Sequence, residues 1–397
     1  MPRPGGGVRL KRSRGVTDMG TPLVIVGSGM AGYGLLRSVR HIDRRRRVWV
    51  YTADDGCAYT KSQLACGLAR GKMPSELVLA TSEQMAHRLD ATIVTHTEVR
   101  AIDRARHRLI TDRGEHAYGQ LVLALGACPV RPTPLRGSAA SQVLTLASLA
   151  DYRYFRSELD GRRRVVVLGG GLPGCEFAEG LLRAGCDVTL FEAGSRLAGD
   201  KLPGLCAARV ARALHSAGVC VRLEDGVHSV EQALDELELT TLSGQHLAAD
   251  LVVAALGTRP RAALARDAGL AVGHGIIVDH QLRTADPDIF AVGECVELGG
   301  RLFTLSEDIE AAARVLAAVL TGAGARIGWQ PRMQRLQLEC CPAVLCEPPP
   351  IAGEWQESAT RKGVRAVFHD RRGALRGFAL VGEPIGEAAR LYGQLRR

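Results

Sequence analysis

The sequence predicts an α/β chain in which two parallel-sheet modules share one design, followed by a small α+β domain at the C-terminus. Three features carry this reading. An apolar strand running into a glycine-rich turn and then a helix occurs twice, from residues 23 and 165. Each copy closes on a similar apolar strand ending in glycine, with a proline three residues further on. Beyond about residue 329 the texture shifts to short alternating strands. A compound pattern met twice outweighs a single glycine-rich turn, which is common in unrelated chains.

The first copy begins at Leu23-Val-Ile-Val26, continuously apolar as a strand buried on both faces of a parallel sheet must be. It leads into Gly27-Ser28-Gly29-Met30-Ala31-Gly32. Residues 31–40 then read as a helix with Leu35, Leu36 and Val39 on one face, and a second apolar strand follows at Val48–Tyr51. Residues 92–123 read as short alternating strands broken at Asp103-Arg and Arg113-Gly, and they end in Leu121-Val-Leu-Ala-Leu-Gly126. The second copy runs Val165-Val-Val-Leu168, then Gly169-Gly-Gly171-Leu172-Pro173-Gly174, then a helix through Phe177, Leu181 and Leu182. Its next strand spans residues 188–191 and closes on Glu192, and residues 219–253 repeat the far end, up to Gly257. Residues 275–293 read as two short strands returning to the first module. Residues 303–320 read as a helix with Ile309, Ala312, Ala313, Leu316 and Val319 on one face. Strands at residues 364–368 and 375–381, a rigid Pro348-Pro-Pro350 turn and a basic-ended helix at 386–395 complete the third domain. The expected division is a disordered basic tail at 1–20, a first module at 21–145 with 250–325, a second at 146–249, and a third domain at 326–397.

A chain of 397 residues with 46% hydrophobic residues has room for two or three packed domains. Aromatic residues at 4% argue against a base-stacking surface, and no nucleic-acid motif appears. The net charge of +9 is concentrated in short runs, among them Arg44 to Arg47 and Arg162 to Arg164. These read as solvated loops ahead of buried strands, or as a docking face for an acidic partner. No stretch approaches the ~18 apolar residues of a membrane helix. The first twenty residues lack the apolar middle of a secretory signal, so a soluble, cytoplasmic protein is expected. The eleven cysteines follow neither a disulfide framework nor a metal-ligand spacing, which suits a reducing compartment.

A glycine-rich turn between a buried strand and a helix lets the backbone approach a pyrophosphate, because no Cβ intervenes. The helix then points free N–H groups and the positive end of its dipole at the phosphates. On this reading Gly27, Gly29 and Gly32 hold one dinucleotide, and Gly169, Gly171 and Gly174 hold another. Glu192 lies about 20 residues past its turn, where a carboxylate accepts from a ribose 2′-hydroxyl and repels a 2′-phosphate. NADH is therefore expected over NADPH. The first module has no acid at its strand tip, and Thr52, Asp54 and Asp55 all remain candidates for the ribose.

These residues resemble the FAD-dependent pyridine nucleotide reductases, on the branch of the rubredoxin–NAD reductases. The most specific block is Thr52-Ala53-Asp54-Asp55-Gly-Cys57-Ala-Tyr-Thr-Lys61, similar to that family's T-A-D-D-G-x-x-Y-S-K. Further matches are Gly171-Leu172-Pro173-Gly174-Cys-Glu176-Phe-Ala178, Leu256-Gly257-Thr-Arg-Pro260 and Ile289-Phe-Ala-Val-Gly293, and the similarity spans roughly residues 21–390. The resemblance implies a glutathione-reductase-like fold with FAD on the first module, NADH on the inserted second, and a C-terminal domain backing the flavin. It implies that Lys61 stands near the flavin's reactive edge, with Glu176 reaching toward the same place and able to pair with it. It further implies Val99 at the adenine, Gly257 near the nicotinamide, and Glu294 and Ser306 at the flavin. Electrons from NADH then leave through the flavin to a small iron-containing carrier, an acidic rubredoxin first among them. A ferredoxin, a flavorubredoxin, or a nucleotide-binding regulator without catalysis are the alternatives, in a monomer or homodimer.

The chain departs from the family pattern in three places. Glu294 stands where the family's aspartate accepts from the ribityl chain, one methylene longer. Glu307 and Asp308 place acids at a helix start that is apolar in relatives, and Gln337 replaces a frequent lysine. Each removes or offsets positive field near the flavin, so a lower flavin potential, weaker FAD affinity or a remodelled site is expected. Cys57 and Cys66 lie outside the four-residue spacing of a flavin-linked dithiol, so electrons are expected to leave the flavin directly.

Overall fold

The computed structural model describes residues 21–61, 63–199 and 201–396, with the side chains of Ala65 and Cys66 outside that description. The expected tail, residues 1–20, lies outside the described residues. Leu23–Val26 is buried at every position and forms the middle of a five-stranded parallel sheet. The strand order is Ile289–Ala291, Gln120–Leu123, Leu23–Val26, Val48–Tyr51, Thr92–Val94. From Leu23–Val26 the chain steps outward on one side through Val48–Tyr51 and Thr92–Val94 and later returns to the other side at Gln120–Leu123, so a crevice opens at its C-terminal end, where the glycine turn lies. The helix Met30–Ile42 buries Leu35, Leu36 and Val39 against this sheet and packs on the helix Ser306–Leu320. A three-stranded meander, Val99–Asp103, Arg108–Thr111 and Gly114–Ala117, brings His116 against Trp49 and Tyr51.

The second sheet repeats the plan, in the order Cys220–Leu223, Asp187–Glu192, Arg164–Leu168, Leu251–Ala254, Leu144–Thr145, with every pairing parallel. Its own meander is Val227–Ala233, Glu236–Thr241 and His246–Ala249. The chain crosses between modules at Ala127–Pro129 and Thr258–Pro260, which pair antiparallel with each other. Leu144–Thr145 and Leu251–Ala254 both belong to the second sheet, so sheet membership moves the expected boundaries at 145/146 and 249/250 outward on both sides. The physical reason is that the apolar run at 251–254 completes the second module's own core and does not begin the return to the first.

The C-terminal sheet is antiparallel, ordered Met333–Leu336, Ala343–Cys346, Leu375–Gly382, Gly363–Asp370, Gly353–Thr360. One face packs Phe378 and Leu380 under Leu391 of the helix Ala388–Leu395. The other face, with Val364, Ala366 and Val381, shares a core with Cys206 and Val210 of the second-module helix Gly204–Ala217. The third domain is thus seated on the second module. Among the described residues no helix is long and apolar enough to cross a membrane.

Candidate cofactor and redox site

Both glycine turns leave their helix open at the N-terminus. Gly29 and Gly171 occupy the N-cap positions with extended backbone and no side-chain capping bond, so the first N–H groups of each helix remain available as donors. The glycines of each turn serve two different ends. A Cβ on Gly32 would lie 1.9 Å from Gly27 O, and one on Gly174 would lie 1.9 Å from Gly169 O, so these two let helix close on strand. A Cβ on Gly29 would meet nothing within 4 Å, and one on Gly171 only Pro173 Cδ at 3.8 Å, so these two keep the turn clear for a ligand. Ser28, Met30 and Ala31 complete the first turn, and Leu172 and Pro173 open the second helix.

An acid stands beside each turn. Glu192 accepts from Gly170 N at 2.8 Å through Oε2 and from Gly194 N at 2.7 Å through Oε1. In the first module the three candidates separate. Asp54 Oδ1 accepts from Thr52 Oγ1 at 2.6 Å, from Ser28 Oγ at 3.2 Å and from Gly56 N at 3.0 Å. Ser28 Oγ also donates to Thr52 Oγ1 at 2.9 Å. Asp55 turns away, accepting from Cys57 N at 3.0 Å and pairing with Arg153 at 3.1 Å. Asp54 is therefore the first module's counterpart of Glu192, tied to the turn through Ser28 and Thr52. Ala53 is exposed beside it. Val99 begins the meander next to Thr97, whose N–H donates to Thr52 O at 2.9 Å.

A cleft of about 620 Å³ opens where the first turn, the start of the helix Ser306–Leu320 and the C-terminal domain meet. Gly29, Met30, Tyr33, Thr60, Ser306 and Gln337 are among its walls. Lys61 stands next to Thr60, and its Nζ lies 3.0 Å from Glu294 Oε2. The expected pair of Lys61 with Glu176 is not formed. Glu176 Oε1 instead accepts from Gln337 N at 2.7 Å, and burial pushes its carboxyl up, with that bond acting against the shift and Glu179 adding to it. Asp308, expected to add uncompensated negative charge at the helix start, pairs with Arg332 Nε at 2.6 Å. The charge of Asp308 is thus offset from the C-terminal domain by a residue 24 positions away in sequence. Gly257 lies at the end of the second sheet with φ +86°, its carbonyl accepting from Val130 N at 3.0 Å.

Sequence reasoning missed Glu179, Arg332 and Tyr33. Glu179 is buried and accepts from Glu339 N and Cys340 N, both at 2.8 Å. Its one signal was its place on the same helix face as Glu176, three residues on, a spacing that also describes an ordinary solvated face. Tyr33 donates to Gly56 O at 2.5 Å and sits in the cleft wall. The described cysteines are all free thiols. Burial, and then Asp55, push the Cys57 thiol up, which disfavours a nucleophilic thiolate. The Cys66 side chain lies outside the described residues.

These features suit two dinucleotides. Each open turn offers helix-terminal N–H groups to a pyrophosphate, an acid stands beside each turn, and a cleft with room for a ring system adjoins the first. A family model described as pyridine nucleotide-disulphide oxidoreductase matches residues 21–322, and one described as rubredoxin binding C-terminal domain matches residues 336–395. The chain is 36% identical over 379 residues to the rubredoxin–NAD(+) reductase of Alcanivorax borkumensis, covering 94% of this chain and 98% of that one. It is 33% identical over 377 residues to the nitric oxide reductase FlRd–NAD(+) reductase of Vibrio vulnificus, covering 95% and 98%. Among solved structures, the covalent putidaredoxin reductase–putidaredoxin complex matches with a TM-score of 0.86 at 24% identity, covering 96% of this chain and 94% of that one. That likeness speaks to the fold. With a matched model spanning most of its length and relatives aligned nearly end to end, the chain belongs to the pyridine nucleotide-disulphide oxidoreductases, enzymes that use FAD and NAD(H).

Proposed function

We propose that the chain takes electrons from NADH and delivers them, by way of FAD, to a small iron-containing carrier, with rubredoxin as the physiological acceptor. The observation that carries this reading is the matched rubredoxin-binding domain at residues 336–395, whose Gln337 lines the same cleft as the first glycine turn. A carrier seated on that domain is brought to the cofactor cleft itself.

In this reading Gly27, Ser28, Gly29, Met30, Ala31 and Gly32 cradle the FAD pyrophosphate, with Thr52 and Ala53 beside the ribose and Asp54 holding Thr52 and Ser28 in place. Val99 backs the adenine, and Ser306 and Glu294 meet the flavin end. Gly169, Gly171, Leu172, Pro173 and Gly174 take the NADH pyrophosphate, Glu192 its adenosine ribose, and Gly257 lies toward its nicotinamide. Lys61 supplies a cation at the cleft, and Glu176 stands between the second turn and the carrier-binding domain. The bound flavin supplies the conversion of a hydride into single electrons. In this reading the first module holds FAD, the second NADH, and the third carries the docking surface.

Charge supports the partner. Residues 326–397 hold twelve Lys and Arg against seven Asp and Glu, whereas residues 21–325 balance. An acidic carrier is therefore drawn to the domain that faces the cleft. The Vibrio vulnificus relative gives flavorubredoxin as a second acceptor. Free thiols suit a cytoplasmic setting, and the chain acts as a monomer or homodimer. The test is steady-state reduction of purified rubredoxin, flavorubredoxin and ferredoxin by NADH. A kcat/KM for rubredoxin at least about tenfold above the other two, some 1.4 kcal/mol of discrimination, is expected. Equal rates with all three contradict the assignment.

A further inference from the structure

We propose that Glu294 is the positioning residue for Lys61, its extra methylene moving the lysine's counter-ion from the second module to the first. The pair is direct, Nζ to Oε2 at 3.0 Å, with the two side chains 33% and 25% exposed. Both ends belong to the first module. Lys61 follows the Asp54–Asp55 loop, and Glu294 follows the strand Ile289–Ala291.

The backbone at Glu294 has little freedom. On one side Gly293, at φ +95°, packs so closely on the first helix that an added Cβ would lie 2.7 Å from Ala31 Cβ. On the other, Cys295 is fully buried, its thiol donating to Leu123 O and Val292 O, both at 3.4 Å. With the backbone pinned on both sides, side-chain length decides where the carboxylate falls. A glutamate reaches Lys61, and its Oε1 has no partner among the described residues, leaving it free to accept from a ligand hydroxyl. An aspartate on the same backbone falls one methylene short of this arrangement.

Glu176 is committed elsewhere. It accepts from Gln337 N at 2.7 Å, while Glu179, one turn further along the helix Leu172–Arg183, takes Glu339 N and Cys340 N at 2.8 Å. Three amides of the 337–340 segment are thereby held by carboxylates of one helix. Glu176 fastens the carrier-binding domain to the nucleotide module, and the charge of Lys61 is answered by Glu294. A lysine held in this way keeps one position through the catalytic cycle, whatever the second module does as NADH arrives and leaves.

The inference rests on FAD lying against the first turn, and the experiment reads the pair both without and with the cofactor. In FAD-free protein, acylation of Lys61 by acetic anhydride, followed by peptide mass spectrometry, reports how well the amine is held. Glu294→Gln is expected to raise the rate severalfold and Glu176→Gln to leave it unchanged. The reverse pattern overturns the proposal. In FAD-loaded protein the flavin midpoint potential is measured for Lys61→Met in the parent and in three variant backgrounds. The downward shift caused by Lys61→Met is expected to shrink in the Glu294→Gln background, because the lysine is no longer held there, and to persist in full in Glu176→Gln. Glu294→Asp is expected to behave like Glu294→Gln in this cycle, since a retained charge that cannot reach does not position. An equal Lys61→Met shift in all backgrounds overturns positioning by Glu294. The expected labelling pattern together with a potential indifferent to Lys61 supports the pair and counts against FAD at the first turn.

Discussion

Glu192 accepts from Gly170 N of the second glycine turn and from Gly194 N just beyond its own strand, so its carboxylate is held beside that turn in one orientation. Glu192→Arg removes a ribose acceptor and adds a cation suited to a 2′-phosphate. It is expected to raise the KM for NADH by roughly ten- to a hundredfold, as loss of a charge-assisted bond worth about 1.5–3 kcal/mol requires, and to favour NADPH. Steady-state kinetics with both nucleotides check this, and an unchanged preference contradicts the role. Glu176 gives a pH prediction. Burial raises its carboxyl, so the fold favours the protonated form, and the stability this lends is complete below the ordinary carboxylate range and lost as pH rises through the raised value. Glu176→Gln, neutral throughout, is expected to gain Tm relative to the parent as pH rises from acid to neutral. A Tm difference that is flat with pH contradicts this. Glu192 was legible in the sequence because its role depends on a fixed offset along one strand–turn–helix–strand unit. The partner of Lys61 was not, because 233 residues separate it from Glu294 and one methylene decides the choice. Arg332 with Asp308 is a second case of the same kind, a pair that only the packed third domain brings together.

The two glycine turns illustrate what an element requires of each position. Gly32→Ala places a Cβ against Gly27 O and is expected to destabilise the first module by about 1–3 kcal/mol, as overpacking does, with loss of bound FAD. Gly29→Ala meets no protein atom, so it is expected to fold with a near-parental Tm and yet bind FAD more weakly. Thermal melts and flavin content per polypeptide separate the two, and equal destabilisation by both contradicts the division. The strands and helices next to these turns were readable because a continuous apolar run and a 3.6-residue stripe each report burial directly. The helices Gln63–Ala69, Leu149–Leu159 and Gly204–Ala217 were not. Leu64 and Leu68 share an apolar cluster with Phe177, Ala178 and Leu181 of the second module, partners that the local sequence does not show. The crossover strands Ala127–Pro129 and Thr258–Pro260 were hidden because each contains a proline, which argues against a strand until the partner edge is known.

At the level of the whole molecule the repeat of two modules was plain in the sequence, while the seating of the third domain on the second module was not. That seating depends on Glu176 and Glu179 catching the 337–340 amides and on a core shared across the two domains. The domain so seated carries twelve Lys and Arg against seven Asp and Glu over residues 326–397. The rate constant for carrier reduction is therefore expected to fall steeply as ionic strength rises through the range where the Debye length shrinks from about 30 to 8 Å. A rate insensitive to salt contradicts electrostatic guidance. In the proposed path two glycine turns hold two different dinucleotides, and the docking domain lies against the cleft beside the first turn. Anaerobic titration of the purified protein with NADH, then with oxidised rubredoxin, interrogates that path in one cuvette. The flavin absorbance is expected to bleach with NADH, to respond far less to NADPH, and to return when rubredoxin is added. A protein that binds NADH yet carries no flavin, or whose flavin NADH leaves unbleached, contradicts it.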